Sequence, residues 1–65
     1  MDVAYLTDRV LVNEEKKQLY GTQFWMVGGK MVPRPIEDEA GLAARRAELG
    51  MISMEEYSAI MNGNR

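Results

Sequence analysis

Two groups of side chains in this chain have types and spacings suited to chemistry. The first is polar: Asp8 and Arg9 in the first third, Tyr20 and Gln23 in the middle, and the adjacent pair Arg45 and Arg46 further on. A carboxylate with a shifted pKa can serve as a general acid or base, and a guanidinium beside an amide can clamp an anion. Each has a plainer use. Asp8 and Arg9 are sequence neighbours and diverge on a helix, so one internal hydrogen bond or ion pair accounts for either. Arg45 and Arg46 diverge by about 100° for the same reason and do not readily share one ligand. Gln23 faces Arg34 across a predicted hairpin, as an anion clamp or as an ordinary cross-strand polar pair.

Other chemistries lose their reagents at once. Thr7, Thr22, Ser53 and Ser58 have no histidine to activate them, because the chain has none, and cysteine is absent too. That removes a disulfide framework and the usual zinc, haem and iron–sulfur sites. Glu37-Asp38-Glu39 lacks the alternating ligands and central glycine of a calcium loop, and acidic residues suit a helix start for dipole reasons alone. Gly28-Gly29-Lys30 leads into no Ser/Thr-headed helix, so it is no phosphate loop. No metal and no cofactor are expected. A net charge of −2 and a pI near 5.0 argue against nucleic acid. No apolar run approaches the roughly 18–20 residues that cross a bilayer, and Met1-Asp2-Val3 does not open a secretory signal, so a cytoplasmic protein is expected.

The second group is apolar. Gly28-Gly29 between two β-prone runs signals a two-residue hairpin turn. It pairs Val27 with Lys30, Met26 with Met31, Trp25 with Val32, Phe24 with Pro33 and Gln23 with Arg34. Alternation puts Phe24, Met26, Met31 and Pro33 on one face and Trp25, Val27 and Val32 on the other. Both faces are apolar, whereas a small hairpin normally wets one. Sixty-five residues make a marginal core, which small domains often supplement by association. The hairpin residues Phe24, Trp25, Met26 and Val32 are therefore the expected contact surface for a protein partner or a second copy.

Helical patterns flank the hairpin. Asp2 can cap a first helix over about residues 1–13, in which Val3, Leu6 and Val10 recur at helical spacing while Thr7, Asp8 and Arg9 fall on or near the opposite side. Residues 13–17 form a mixed-charge connector. Asp38 can cap a second helix over roughly 39–49, with Leu42, Arg46 and Leu49 on one stripe and Gly50 as its stop. Ser53 and Glu56 spell a capping box, with Ile52 and Tyr57 as its staple, ahead of a buried stripe of Met54, Tyr57, Ile60 and Met61. Residues 62–65 should fray. The expected fold is α+β, a small helix–β-hairpin–helix–helix domain over residues 1–65.

The blocks Thr7-Asp8-Arg9, Gln18-Leu19-Tyr20-Gly21-Thr22-Gln23, Pro35-Ile36-Glu37-Asp38, Arg45-Arg46, Leu49-Gly50 and Glu56-Tyr57 resemble a family of uncharacterised bacterial proteins, a domain of unknown function. The resemblance runs from about Leu6 to Tyr57, and Tyr-Gly-Thr-Gln is its most distinctive part. Members of that family are longer and carry an upstream helical half with a Gln-His-x-Asp-like segment, so this chain resembles the C-terminal portion of their fold. The residues that match are Asp8, Arg9, Gln18, Tyr20, Thr22, Gln23, Arg45 and Arg46. The chain departs from the pattern at Glu15-Lys16-Lys17, where a Gly-Lys-Pro-like turn is typical, and at the apolar Phe24-Trp25-Met26. Two functions follow as expectations. One is a non-catalytic interaction or assembly module that associates through the hairpin. The other is a truncated or split part of an enzyme, with a polar site around Asp8, Tyr20, Gln23 and Arg45 or Arg46. A regulator that mimics nucleic acid is disfavoured by the modest, unclustered charge.

Overall fold

The capping chemistry expected near the start of the chain is in place. In the computed structural model, which describes residues 2–63, the Asp2 carboxylate accepts the Tyr5 N–H at 3.2 Å and opens helix α1, Val3–Asn13. The expected helical start at Met1, and the fraying at Asn64 and Arg65, lie outside the described residues. Helix α1 closes in a Schellman cap, with Glu15 N–H donating to Val12 O at 3.0 Å and Lys16 N–H to Leu11 O at 2.8 Å. This geometry holds Glu15 at φ +61°. A left-handed position of this kind favours glycine, and here Glu15 occupies it. The connector is otherwise solvated, with Lys16 paired to Glu14 at 3.4 Å.

The hairpin has the register read from the sequence. Strands β1, Phe24–Val27, and β2, Lys30–Pro33, pair antiparallel through Gly28 and Gly29, both at positive φ as a type I′ turn demands. Before the hairpin, Gln18 makes a parallel bridge to Ile36, its N–H donating to Pro35 O at 3.0 Å while its carbonyl accepts Glu37 N–H at 2.8 Å. After it, the expected single helix is divided. A 3-10 turn at Glu39–Gly41 precedes α2, Leu42–Glu48, which Gly50 and Met51 close in a second Schellman cap. Asp38 stands at the head of the turn but makes no capping bond. Its carboxylate is turned to Arg45 instead, at 3.5 Å.

Helix α3, Met54–Met61, begins on Ser53, whose Oγ accepts the Glu56 N–H at 3.1 Å. Its inner stripe is only half-buried at Met54, Tyr57 and Met61, and Ile60 is exposed, contrary to the sequence reading. Phe24 meets Tyr57 edge-on, with ring centroids 5.5 Å apart, so α3 covers the Phe24 end of that hairpin face while Met26 on the same face stays exposed. Asn62 is no frayed end. Its side-chain amide accepts Met31 N–H and donates to Met31 O, both at 2.9 Å, while also reaching Ser58 O at 3.0 Å.

The interior is unusual in kind. Ala4 and Leu42 are the buried apolar residues among those described, whereas Asp8, Gln18, Thr22 and Arg46 are buried and polar. Helix α1 shows the consequence. Its helically spaced Val3, Leu6 and Val10 point outward, at 64, 39 and 54 % exposure, while Ala4 and Asp8 turn inward. The helix is rotated to bring a carboxylate, not its apolar stripe, to the centre. No helix among the described residues is long and apolar enough to cross a membrane.

Glu15→Gly should raise stability by up to about 1 kcal/mol, because glycine adopts the left-handed cap without a Cβ clash. Urea denaturation of the two chains measures this, and a loss of stability would mean that the Glu15 side chain itself holds the turn.

Candidate functional site

Most of the polar residues picked out by type converge on one loop, residues 18–23. Helix α1 presents Asp8 to it from one side. The Asp8 Oδ1 atom accepts Leu19 N–H at 2.8 Å and Tyr20 N–H at 3.0 Å, and Oδ2 accepts the Thr22 N–H at 3.0 Å and its hydroxyl at 2.8 Å. A carboxylate offers about four lone-pair sites, so Asp8 is fully engaged. It has no exposed surface. Gln18 spans the base of the same loop. Its Nε2 donates to Gln23 O at 2.9 Å and Arg34 O at 2.8 Å, and its Oε1 accepts Gln23 N–H at 2.8 Å.

Helix α2 supplies the other side. Arg45 Nε donates to Leu19 O at 2.8 Å, and its Nη2 donates to Glu37 O at 2.7 Å and Asp38 O at 3.0 Å. Arg46 donates through Nη1 to Tyr20 O and through Nε to Ile52 O at 2.9 Å. The two arginines diverge from the helix, yet they land on adjacent carbonyls of one loop. The loop runs between an anion that takes its N–H groups and two cations that take its carbonyls. Charge-assisted bonds of this kind are the strong ones. Gly21 makes the close approach possible: a Cβ there would stand 2.7 Å from Met54 Sδ and 3.5 Å from Arg46 Nη1, and its φ is +73°.

The remaining candidates fall elsewhere. Arg9 is exposed and makes no ion pair among the described residues. Tyr20 enters the network through its main chain, and the Gln23 amide turns to Thr22 Oγ1 at 3.1 Å. No Gln23–Arg34 side-chain clamp forms, because the Arg34 guanidinium lies 4.5 Å over the Trp25 ring. Gln18 and Asn62 do more than their sequence positions advertised. Gln18 heads the matched block that runs to Gln23; nothing marked Asn62, since its partner Met31 is set by tertiary packing. Among the described residues no group of three or more His, Cys, Asp or Glu side chains is placed to hold a metal.

The model of a family of unknown function, DUF6624, matches residues 1–64. The chain belongs to this family. No curated protein and no solved structure matches it. In this DUF6624 chain the blocks that carried the resemblance are largely the residues of the clamped loop and its clamps.

Electrostatics fit a built interior. Arg46 has its pKa lowered by burial, against the raising influence of Tyr57 and Asp8. Its guanidinium carbon lies 5.0 Å over the Tyr57 ring, and burial raises the Tyr57 phenol above its ordinary value while Arg46 opposes the shift. One Arg46 nitrogen, Nη2, is buried with no hydrogen-bond partner among the described residues.

Two outcomes follow for this DUF6624 chain. Asp8→Asn turns an NH2 group towards N–H or O–H donors and should cost about 2–4 kcal/mol, against a total on the order of 3–10 kcal/mol for a domain of this length. A denaturation midpoint unchanged in Asp8→Asn would contradict the clamp. Tyr57 supplies the pH test. Its folded pKa is raised, so its contribution is present below the unfolded value of 10.0 and is lost as pH climbs through the folded value. Stability should therefore fall more gently above pH 10 in Tyr57→Phe than in the parent, as chemical denaturation across that range would measure.

Proposed function

We propose that this chain is a small non-catalytic interaction module that associates with a protein partner, or with a second copy, through its hairpin. Asp8, Arg45 and Arg46 direct most of their hydrogen-bonding capacity to main-chain atoms of their own fold. The apolar groups suited to contact lie outside. The observation that carries the reading is that both faces of β1 stay open, with Trp25 and Val27 at 42 and 55 % exposure on one and Met26 at 68 % on the other. Phe24 and Val32 are half-buried beside them. Large apolar and aromatic side chains grouped on a surface mark contact sites, and aromatics are enriched at such sites. Arg34 over Trp25 adds a cation at the rim, in the manner of many interface anchors. The acidic balance favours a protein over nucleic acid as the partner, and a cytoplasmic setting accords with the lack of cysteine.

One observation favours a second reading, in which the chain is part of an enzyme with a polar site around Asp8, Tyr20, Gln23, Arg45 and Arg46. Arg46 keeps a buried donor in reserve and lines an open cleft of about 420 Å³ with Leu42, Met51 and Met54. Asp8 and Arg45 are already committed to the loop, and the Gln23 amide is turned to Thr22 Oγ1.

Light scattering on a size-exclusion column separates the readings. The parent chain should elute above monomer mass at high concentration, and Trp25→Glu should shift it to monomer with its helical circular dichroism retained. A parent that is monomeric throughout, or association that survives Trp25→Glu unchanged, would contradict the module.

A further inference from the structure

The two edges of the hairpin are treated differently, and the difference identifies how a partner would pair. In a two-residue hairpin Val27 and Lys30 exchange hydrogen bonds, and the pattern repeats at every second pair. The Arg34 N–H donating to Gln23 O at 2.9 Å marks the far end of the same series. Phe24 and Met26 on β1, and Met31 and Pro33 on β2, therefore direct their main-chain groups away from the hairpin. The outer edge of β2 is closed: the Asn62 amide takes both the N–H and the carbonyl of Met31, and Pro33 has no N–H to offer. Nothing equivalent guards β1. No main-chain bond from outside the hairpin reaches Phe24 or Met26 among the described residues.

Natural edges are commonly protected by charge, proline or a covering element. The stretch from Gln23 to Gly29 holds no charged residue and no proline, in a chain where about a quarter of residues are charged (28 %). The open groups are also self-complementary. A two-fold axis at Trp25 sets Phe24 opposite Met26 of a second copy, and Met26 opposite its Phe24. All four outward N–H and C=O groups on each strand are then bonded, with none left over. Trp25 faces its own counterpart at the close, non-bonded position. The Phe24–Met26 contact places a thioether against an aromatic ring, a favourable pairing, and no like charges are opposed despite the acidic chain.

We infer that two copies of this chain join β1 to β1 antiparallel about Trp25, making a continuous four-stranded sheet. This rests on the hairpin association proposed above and specifies its partner and register.

Two substitutions test it. Met26→Pro deletes an outward N–H that the hairpin's own ladder does not use, and edge proline is tolerated as at Pro33. It should raise the dimer Kd by about tenfold or more, since two symmetry-related bonds are lost, with the monomer's dichroism unchanged. The chain has no cysteine, so a single introduced thiol reports cleanly. Trp25→Cys sets two thiols at cross-strand distance and should give a disulfide-linked dimer under mild oxidation, whereas Val27→Cys, whose twin lies four positions away along the sheet, should not. Cross-linking at both positions alike overturns the register. Association of the parent that is untouched by Met26→Pro and yields no Trp25→Cys cross-link overturns edge pairing yet leaves the hairpin reading standing. A parent monomeric at every concentration overturns both.

Discussion

The fold depends on one buried carboxylate. Removing an ion from water costs several kcal/mol, and leaving it unpaired inside a protein costs more than most small domains can bear. Asp8 meets this constraint with four donors from Leu19, Tyr20 and Thr22 rather than with a counter-ion in direct contact. The arginines answer from the far side of the loop, on its carbonyls. The result is a polar centre in which the largest fully buried side chains are Arg46, Gln18 and Asp8. A chain with so small an apolar interior relies on direction and geometry where a larger one relies on area.

That arrangement propagates outward. Since Asp8 must face the loop, α1 is rotated so that Val3, Leu6 and Val10 meet solvent. Since Gln18 and Asp8 fix both ends of the loop, Gln23 enters the hairpin in one register, and the ladder begins from a held position. Helix α3 then covers Phe24 and closes the β2 edge through Asn62, leaving Met26, Val27 and the β1 edge open. The proposed role in association is thus the complement of the interior: the fold confines its polar chemistry and presents apolar surface and unpaired strand.

Local signals in the sequence were legible. The α+β class, the element order, the Asp2 and Ser53 caps, the Gly50 stop and the hairpin register all rest on interactions within a few residues, and the structure has each of them. The second helix was only partly legible, because Arg45 draws the Glu37 and Asp38 carbonyls and the Asp38 carboxylate to itself, and a 3-10 turn replaces the first helical turn. The rotation of α1 and the exposure of Ile60 could not be read from periodicity. A helix with an apolar stripe normally buries that stripe, and the bonds that decide otherwise come from residues 11–14 positions away. The polar set was found by residue type, and all but Arg9 gathered at the loop, but its use was invisible: main-chain partners leave no trace in a sequence. Membership of DUF6624 places the chain among relatives without assigning it a reaction.

With these bonds in place, residues 18–23 should be held as firmly as a helix although they form a loop. Amide hydrogen exchange tests it most directly. The N–H groups of Leu19, Tyr20, Thr22 and Gln23 should exchange as slowly as the slowest amides of α1, opening only when the whole chain unfolds. Exchange of those four at the rate of the solvated connector, as read at Lys17, would mean that the clamp does not hold the loop and would return Asp8 and the arginines to the pool of groups free for other work.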